Sequence, residues 1–312
     1  VILVTTKQGN SGAPQFSYNG YVGWQNPTVL TEFADSYEYA CLFNQANDNQ
    51  GQPHRFSDYD LEMYKSGKDP INYPNHNVLK ELIKSNSPIT SHNVQLSGGS
   101  EKFNYYISLN YLYQGGMWET TNMHKYSLMS KIQAQATKTT KIELAVTGRI
   151  EQYNYPGVAS GGAGNIFSQA FRTPPIAPLV YPGGLAGEFE GRTVYGQIYQ
   201  SGFNKYRNYV MYNQMVIEQD LPFVRGLKLK GVIAYDLKPI HKKIWKTPMP
   251  YYTVDMSSGS PEYVQAGSDG PEKPTYTQNY SENQSLTLQG QIQYNNTCLL
   301  YTSPSPRDMR RS

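Results

Sequence analysis

The chain has 312 residues, 27 Lys+Arg against 24 Asp+Glu and a net charge of +3, a balance that argues against nucleic acid as a partner. Its two cysteines exclude a disulfide framework and a cysteine-based zinc cluster. No run approaches the ~18 apolar residues of a transmembrane helix, so any membrane span must be built from strands. The mean hydropathy of −0.61 is compatible with such spans, because half of each barrel strand faces water. Abundant Tyr, 28 residues, suits aromatic girdles at a lipid boundary and also sugar-binding loops.

Val1–Lys7 is a β-branched run of the buried-strand type, closed by Gly9 and Gly12. With no initiator Met, it reads as the interior of a longer protein whose targeting signal lies elsewhere. Gln15–Trp24 alternates, with Phe16, Tyr18, Val22 and Trp24 on one face. Residues 25–91 form a first long loop that carries three short helices. These are Ser36–Ala46 with Asp35 as N-cap, Ser57–Lys65 ended by Gly67, and Asn77–Lys84.

From His92 to Gln152 the chain reads as four consecutive strands. Phe103, Tyr105, Ile107, Leu109, Tyr111 and Tyr113 share one face, against Asn104, Ser108 and Asn110. Tyr126, Leu128, Ile132 and Ala134 oppose Ser127, Lys131, Gln133 and Gln135, and Ile142, Leu144, Val146 and Ile150 oppose Glu143, Thr147, Arg149 and Glu151. Tight turns at Ser97–Glu101 and Thr137–Thr140 flank a longer connection at 114–124. Further long loops are expected at 153–205 and 239–281. Strands are expected at Tyr206–Gln219, Leu227–Asp236 and Ser285–Asn295, the first two joined by the short DLPFVRG. Short turns alternating with long loops are what an outer-membrane β-barrel produces, with apolar residues toward lipid and polar ones toward the lumen. A soluble sandwich has no reason to place long loops at every second connection.

Several segments resemble the SusC/RagA-type TonB-dependent outer-membrane transporters. VILVTTKQG, a Gly/Pro linker and FSYNGYVGWQNP resemble that family's junction between plug and barrel. SGGSEKFNYYISLNYLYQGG matches its hairpin almost throughout, with Asn110 where Gly is usual. SGKDPINYPNHN, RTPPIAPL and LPFVRGLKLKGVIAYD are similar to further family segments. The resemblance implies an all-β fold: a plugged transmembrane antiparallel barrel of about 22 strands, of which this chain holds about eight. Residues 1–12 would end the plug, 13–297 would begin the barrel, and 298–312, with two prolines and no alternation, reads as a non-native tail. The resemblance further implies residence in the cell outer membrane and uptake of glycan oligosaccharides or peptides. Partners would be a SusD-like surface lipoprotein acting as lid, outer-membrane lipid, and TonB acting through an upstream segment. A siderophore or cobalamin transporter shares the barrel, but SGGSEK and SYNGYVGWQ favour the SusC-like branch. The alternative of another class is a soluble carbohydrate-binding or adhesin module, whose apolar faces would meet in a dry core.

No catalytic motif is present, and the five histidines lack metal-ligand spacing, so neither an enzyme nor a cofactor is expected. SGGAG at 160–164 reads as a flexible loop. Aromatic residues in the long loops, Trp118, Tyr153, Tyr155, Tyr195 and Tyr199, with Tyr251 and Tyr252, either stack on sugar rings or pack loop against loop.

Overall fold

The computed structural model describes residues 9, 11–158 and 164–295. The strand expected at Val1–Lys7, most of the Gly-rich 160–164 and the tail 298–312 lie outside the described residues. The first strand, β1, spans Gly12–Gln25. Three helices follow: α1 (Ser36–Asn49), α2 (Asp58–Ser66) and α3 (Val78–Leu82). Then come β2 (Ser87–Gly99), β3 (Phe103–Gly115), β4 (Asn122–Gln135) and β5 (Thr140–Pro156).

Beyond β5 lie α4 (Gly164–Arg172), a hairpin of β6 (Val180–Tyr181) with β7 (Leu185–Ala186), and α5 (Val194–Tyr199). The long β8 (Gly202–Asp220) is followed by β9 (Leu227–Leu237) and β10 (Ile240–Lys246). A projecting hairpin joins β11 (Met249–Asp255) to β12 (Glu262–Asp269). Last come β13 (Thr275–Ser281) and β14 (Gln284–Tyr294).

The protein is therefore mostly antiparallel sheet. Residues 239–281, expected as a loop, instead hold β10 to β13, and the reason is local. Pro239 has no N–H to give to a ladder, so the strand assignment breaks between β9 and β10 although the register does not. Leu237 faces Gln284 and Ile240 faces Ser281, an uninterrupted sequence of pairs across the break. The carbonyl of Pro239 still accepts from Tyr209 N–H at 3.0 Å. Counted this way, β9–β10 and β13–β14 are two continuous strands, and the main sheet has eight strand positions in chain order.

The connections keep the short–long rhythm. Short turns follow β2, β4 and β8; residues 26–86, 116–121 and 157–201 and the β11–β12 hairpin all lie at the opposite end. Each loop helix is fixed by its own capping chemistry. Asp35 and Glu38 form a reciprocal capping box on α1, Ser57 and Asp60 do the same on α2, and Asn77 caps α3. Gly67 ends α2 at φ 60, a conformation that favours glycine. Hydrogen bonds from Ser57 and from the Tyr73 hydroxyl hold the Asp60 carboxyl below its usual range, and the same bond pushes Tyr73 up to about 12.

The two faces of the sheet differ as the alternation requires. Among the described residues the ion pairs of the strands lie on one face: Lys131–Glu143 at 2.8 Å and Lys230–Glu218 at 3.3 Å between strands, and Arg149–Glu151 at 3.1 Å within β5, are examples. The other face carries a belt of large apolar side chains. It runs from Phe16–Trp24 on β1 through Val94–Leu96, Ile107–Leu109, Leu128–Ile132, Ile142–Ile150, Tyr209–Ile217 and Leu229–Tyr235 to Leu286–Tyr294. This belt is exposed: Phe16 is 69% accessible, Leu288 67% and Ile292 77%. A soluble sandwich would bury that face against a second sheet. Among the described residues no second sheet covers it.

The belt also slides along the strands. Its centre on β1 is Gly20, whose row of paired residues runs through His92, Tyr111, Tyr126, Ile150 and Tyr209 to the level of Pro239 and Glu282. On β14 the belt is centred at Gly290, eight residues beyond Glu282. That is a shift of about 27 Å along the strands over about 34 Å across them. A belt that stays level therefore needs strands tilted by roughly 40°, within the range of transmembrane barrels. No helix among the described residues is long and apolar enough to cross a membrane, which says nothing of a β-barrel.

Candidate functional site

The main apolar core lies at the long-loop end of the sheet. Val78, Leu79, Leu82 and Ile83 from α3 and its flank meet Trp118 from the 116–121 connection. Ile166 and Ala170 of α4 join Leu179, Val194 and Ile198 from the segment before β8. Three loops far apart in sequence are thereby fused into one cap. Trp118 is its centre, 1% accessible, with its ring 5.0 Å from Phe167. Thr121 accepts from Trp118 N–H at 3.2 Å and donates back to its carbonyl at 2.8 Å, which fixes the tight connection.

Beneath this cap, on the polar face, a cavity of about 450 Å³ is lined by Gln25, Gln114, Met123, Trp118, Tyr153 and Tyr155, with Lys84 at its side. A second cavity of about 440 Å³ continues down the same face between Glu151, Tyr153, Tyr155, Asn204, Tyr206, Asn208 and Lys242. The two share Tyr153 and Tyr155, whose rings lie parallel at 5.9 Å with 7° between their planes. Tyr153 and Tyr155 share this face because they are two residues apart on β5. Tyr206 packs on Tyr153 at 5.8 Å. Glu151 is engaged by Arg149 at 3.1 Å and accepts from Asn208 at 3.1 Å, so the trough's carboxylate is already ordered.

Comparison with known proteins bears on what this trough belongs to. No family model matches the chain. TonB-dependent receptor P26 of Formosa agariphila is 28% identical over 193 residues, covering 61% of this chain and 18% of the relative. TonB-dependent receptor P3 of the same organism is 27% identical over 181 residues, covering 56% and 16%. Among solved structures, the RagAB peptide transporter superposes with a TM-score of 0.57 at 18% identity, over 78% of this chain and 30% of that one. The RagAB peptide importer in its open-open state gives 0.56 at 14% identity, over 93% and 41%. The chain is similar to TonB-dependent receptors over part of their length.

It spans 16–18% of the length of the curated relatives it matches. At such low identity the structural likeness establishes the fold alone: the sheet is folded like a sector of the barrel in those structures. The sheet and its loops bring Trp118, Tyr153 and Tyr155 to one cavity, with Trp118 reaching it from the packed cap. It does not bring Tyr195 and Tyr199 there. They sit together on α5 with rings 4.7 Å apart; Tyr195 packs on the cap's core and Tyr199 is 41% accessible. Burial and the neighbouring Tyr195 raise the Tyr199 hydroxyl above its usual pKa. Tyr251 and Tyr252 lie on β11 and line neither cavity.

Asn204, Tyr206, Asn208 and Lys242 complete the trough and do not stand out in the sequence. Their only signal is parity: each occupies a polar-face position near the long-loop end of β8 or β10. Among the described residues no cluster of His, Cys, Asp or Glu is placed to hold a metal ion.

Proposed function

We propose that the chain forms part of the wall and extracellular cap of a TonB-dependent importer in the outer membrane, and that the Tyr153–Tyr155 trough contacts an oligosaccharide on its way into the lumen. A SusD-like surface lipoprotein closes over the substrate, and TonB pulls on a plug to open the path below. The barrel removes sheet edges from lipid and supplies a polar lumen. The observation that carries the reading is the parallel tyrosine pair, flanked by amide side chains, at the long-loop end of the polar face. Such rings offer flat apolar area to a sugar while amides satisfy its hydroxyls.

A second reading, peptide uptake, is favoured by the charged lower half of the trough, where Lys242 and Glu151 face the same space. RagAB, the fold neighbour, is described as a peptide transporter. One experiment separates the two. Isothermal titration of the protein from outer membranes is made with oligosaccharide and peptide mixtures, for wild type, Tyr153→Ala/Tyr155→Ala and Lys242→Ala. The oligosaccharide reading predicts at least a tenfold affinity loss for the tyrosine variant and little change for Lys242→Ala. Peptide binding that depends on Lys242 reverses the order. Saccharide binding unchanged in the tyrosine variant removes the trough from the substrate path.

A further inference from the structure

The apolar belt is uneven. Over Gly148 it sinks into a groove of about 510 Å³ walled by Val94, Leu109, Leu128, Ile150, Tyr209 and Met211. Glycine makes the depth: a Cβ at 148 would find Leu128 only at 4.0 Å, so the space is open. The groove's long-loop end is marked by Tyr209, whose ring meets His241 at 5.6 Å.

Just beyond it the face changes chemistry. Arg207 lies opposite His241 and Lys205 opposite Lys243 in the β8–β10 ladder. Arg207 is two residues from Tyr209, so all four are on the belt side of the sheet. Like charges directly opposite one another destabilise a ladder. Among the described residues no carboxylate pairs with them: the flanking β5 residues are Gln152 and Asn154, the flanking β13 residues are Tyr280 and Gln278, and Lys205 lies over the Phe203 ring at 4.8 Å. The nearby Glu282 accepts from the Tyr280 hydroxyl. Among the described residues Lys205, Arg207 and Lys243 make no ion pair, whereas Glu143, Glu151 and Glu218 on the polar face are all engaged. A cluster of unneutralised cations at the rim of an apolar groove fits one kind of molecule, an anion with long hydrocarbon chains.

We propose that this site binds a phosphorylated, multiply acylated glycolipid of the outer leaflet. A phosphate sits among Arg207, Lys205 and Lys243, and one acyl chain fills the groove over Gly148. The guanidinium and ammonium groups supply charge-assisted hydrogen bonds to the phosphate, and the chain covers belt surface that a glycine leaves bare. This proposal rests on the reading that the belt faces lipid.

The test is native mass spectrometry of the protein extracted from outer membranes in mild detergent, with heat-modifiable gel mobility as the measure of a folded barrel. Wild type is expected to retain one phosphorylated glycolipid per chain through repeated washing, and inorganic phosphate at millimolar concentration leaves it in place. Lys205→Gln/Arg207→Gln/Lys243→Gln is expected to lose it at least tenfold, and Gly148→Leu, which fills the groove with apolar atoms, at least threefold. Both variants remain folded. Equal retention in the charge variant overturns the proposal, as does a second copy of the protein, seen as a dimer mass, in place of lipid. Displacement by phosphate alone would reassign the cluster to a free anion. If the triple variant fails to assemble, Arg207→Gln and Lys243→Gln separately decide, each by at least a threefold loss. Failure of the underlying reading looks different: a protein absent from the membrane fraction, with no heat-modifiable band.

Discussion

A lysine at Leu128 prevents the chain from assembling in an outer membrane, while a lysine at the adjacent Met129 leaves assembly close to wild type. Leu128 sits in mid-belt, opposite Leu109 on one side and Gly148 on the other. An ammonium there must enter hydrocarbon, at about 2–4 kcal/mol for a midplane position. Met129 faces the other way, opposite Ser108 and Thr147, among polar neighbours that keep a charge hydrated. With a typical stability of roughly 5–15 kcal/mol, the first cost is a large share of the whole. The folded fraction is read as the heat-modifiable band in membranes. Equal yields for the two variants would mean that the faces have been assigned wrongly, because one residue's difference in position is the only thing that separates them.

Removing Trp118 unlocks the cap without unfolding the barrel. The indole is enclosed by residues from three loops, and truncating a buried aromatic to alanine costs about 3–5 kcal/mol. In Trp118→Ala the loops at 26–86 and 157–201 become cleavable by added protease, the heat-modifiable barrel band is as strong as in wild type, and substrate capture falls more than tenfold. Tyr153→Ala/Tyr155→Ala shares the loss of capture but leaves the loops resistant. Limited proteolysis beside a binding titration distinguishes the two, since Trp118 supports the cavity and the tyrosines line it. A Trp118→Ala protein with resistant loops would show that the cap is held by something other than this core.

Much of the fold was legible because barrel strands advertise themselves through parity. On β14 the apolar residues keep strict alternation and on β3, β4 and β5 most of them do, and the capping boxes at Asp35–Glu38 and Ser57–Asp60 announce α1 and α2. The helices α4 and α5 were not legible. Their segment is rich in Gly and Pro, and they are held by contacts with α3 and Trp118 from two other loops rather than by local signals. The strand character of 239–281 was hidden by Pro239, Pro248 and Pro250, which punctuate the sequence where the register continues or a new hairpin begins. Within the site, Tyr153 and Tyr155 were expected in the loop at 153–205; β5 instead runs on to Pro156, and as a strand it puts both on one face. The burial of Trp118 could not be read either, because the atoms that enclose it come from residues 35 to 80 positions away.

The central claim is that one face of this sheet meets lipid and the other water. It is tested most directly by single cysteines placed one at a time from Lys125 to Gln133, with Cys41→Ser and Cys298→Ser as background, in the protein held in outer-membrane vesicles. Each cysteine is challenged with a lipid-soluble and a membrane-impermeant thiol reagent. The structure predicts a period of two. Positions 126, 128 and 132 react from the lipid side, and positions 125, 127, 129 and 131 react from the aqueous lumen or stay shielded by it. Loss of that alternation would contradict the barrel, as would apolar positions shielded from both reagents in the manner of a dry core.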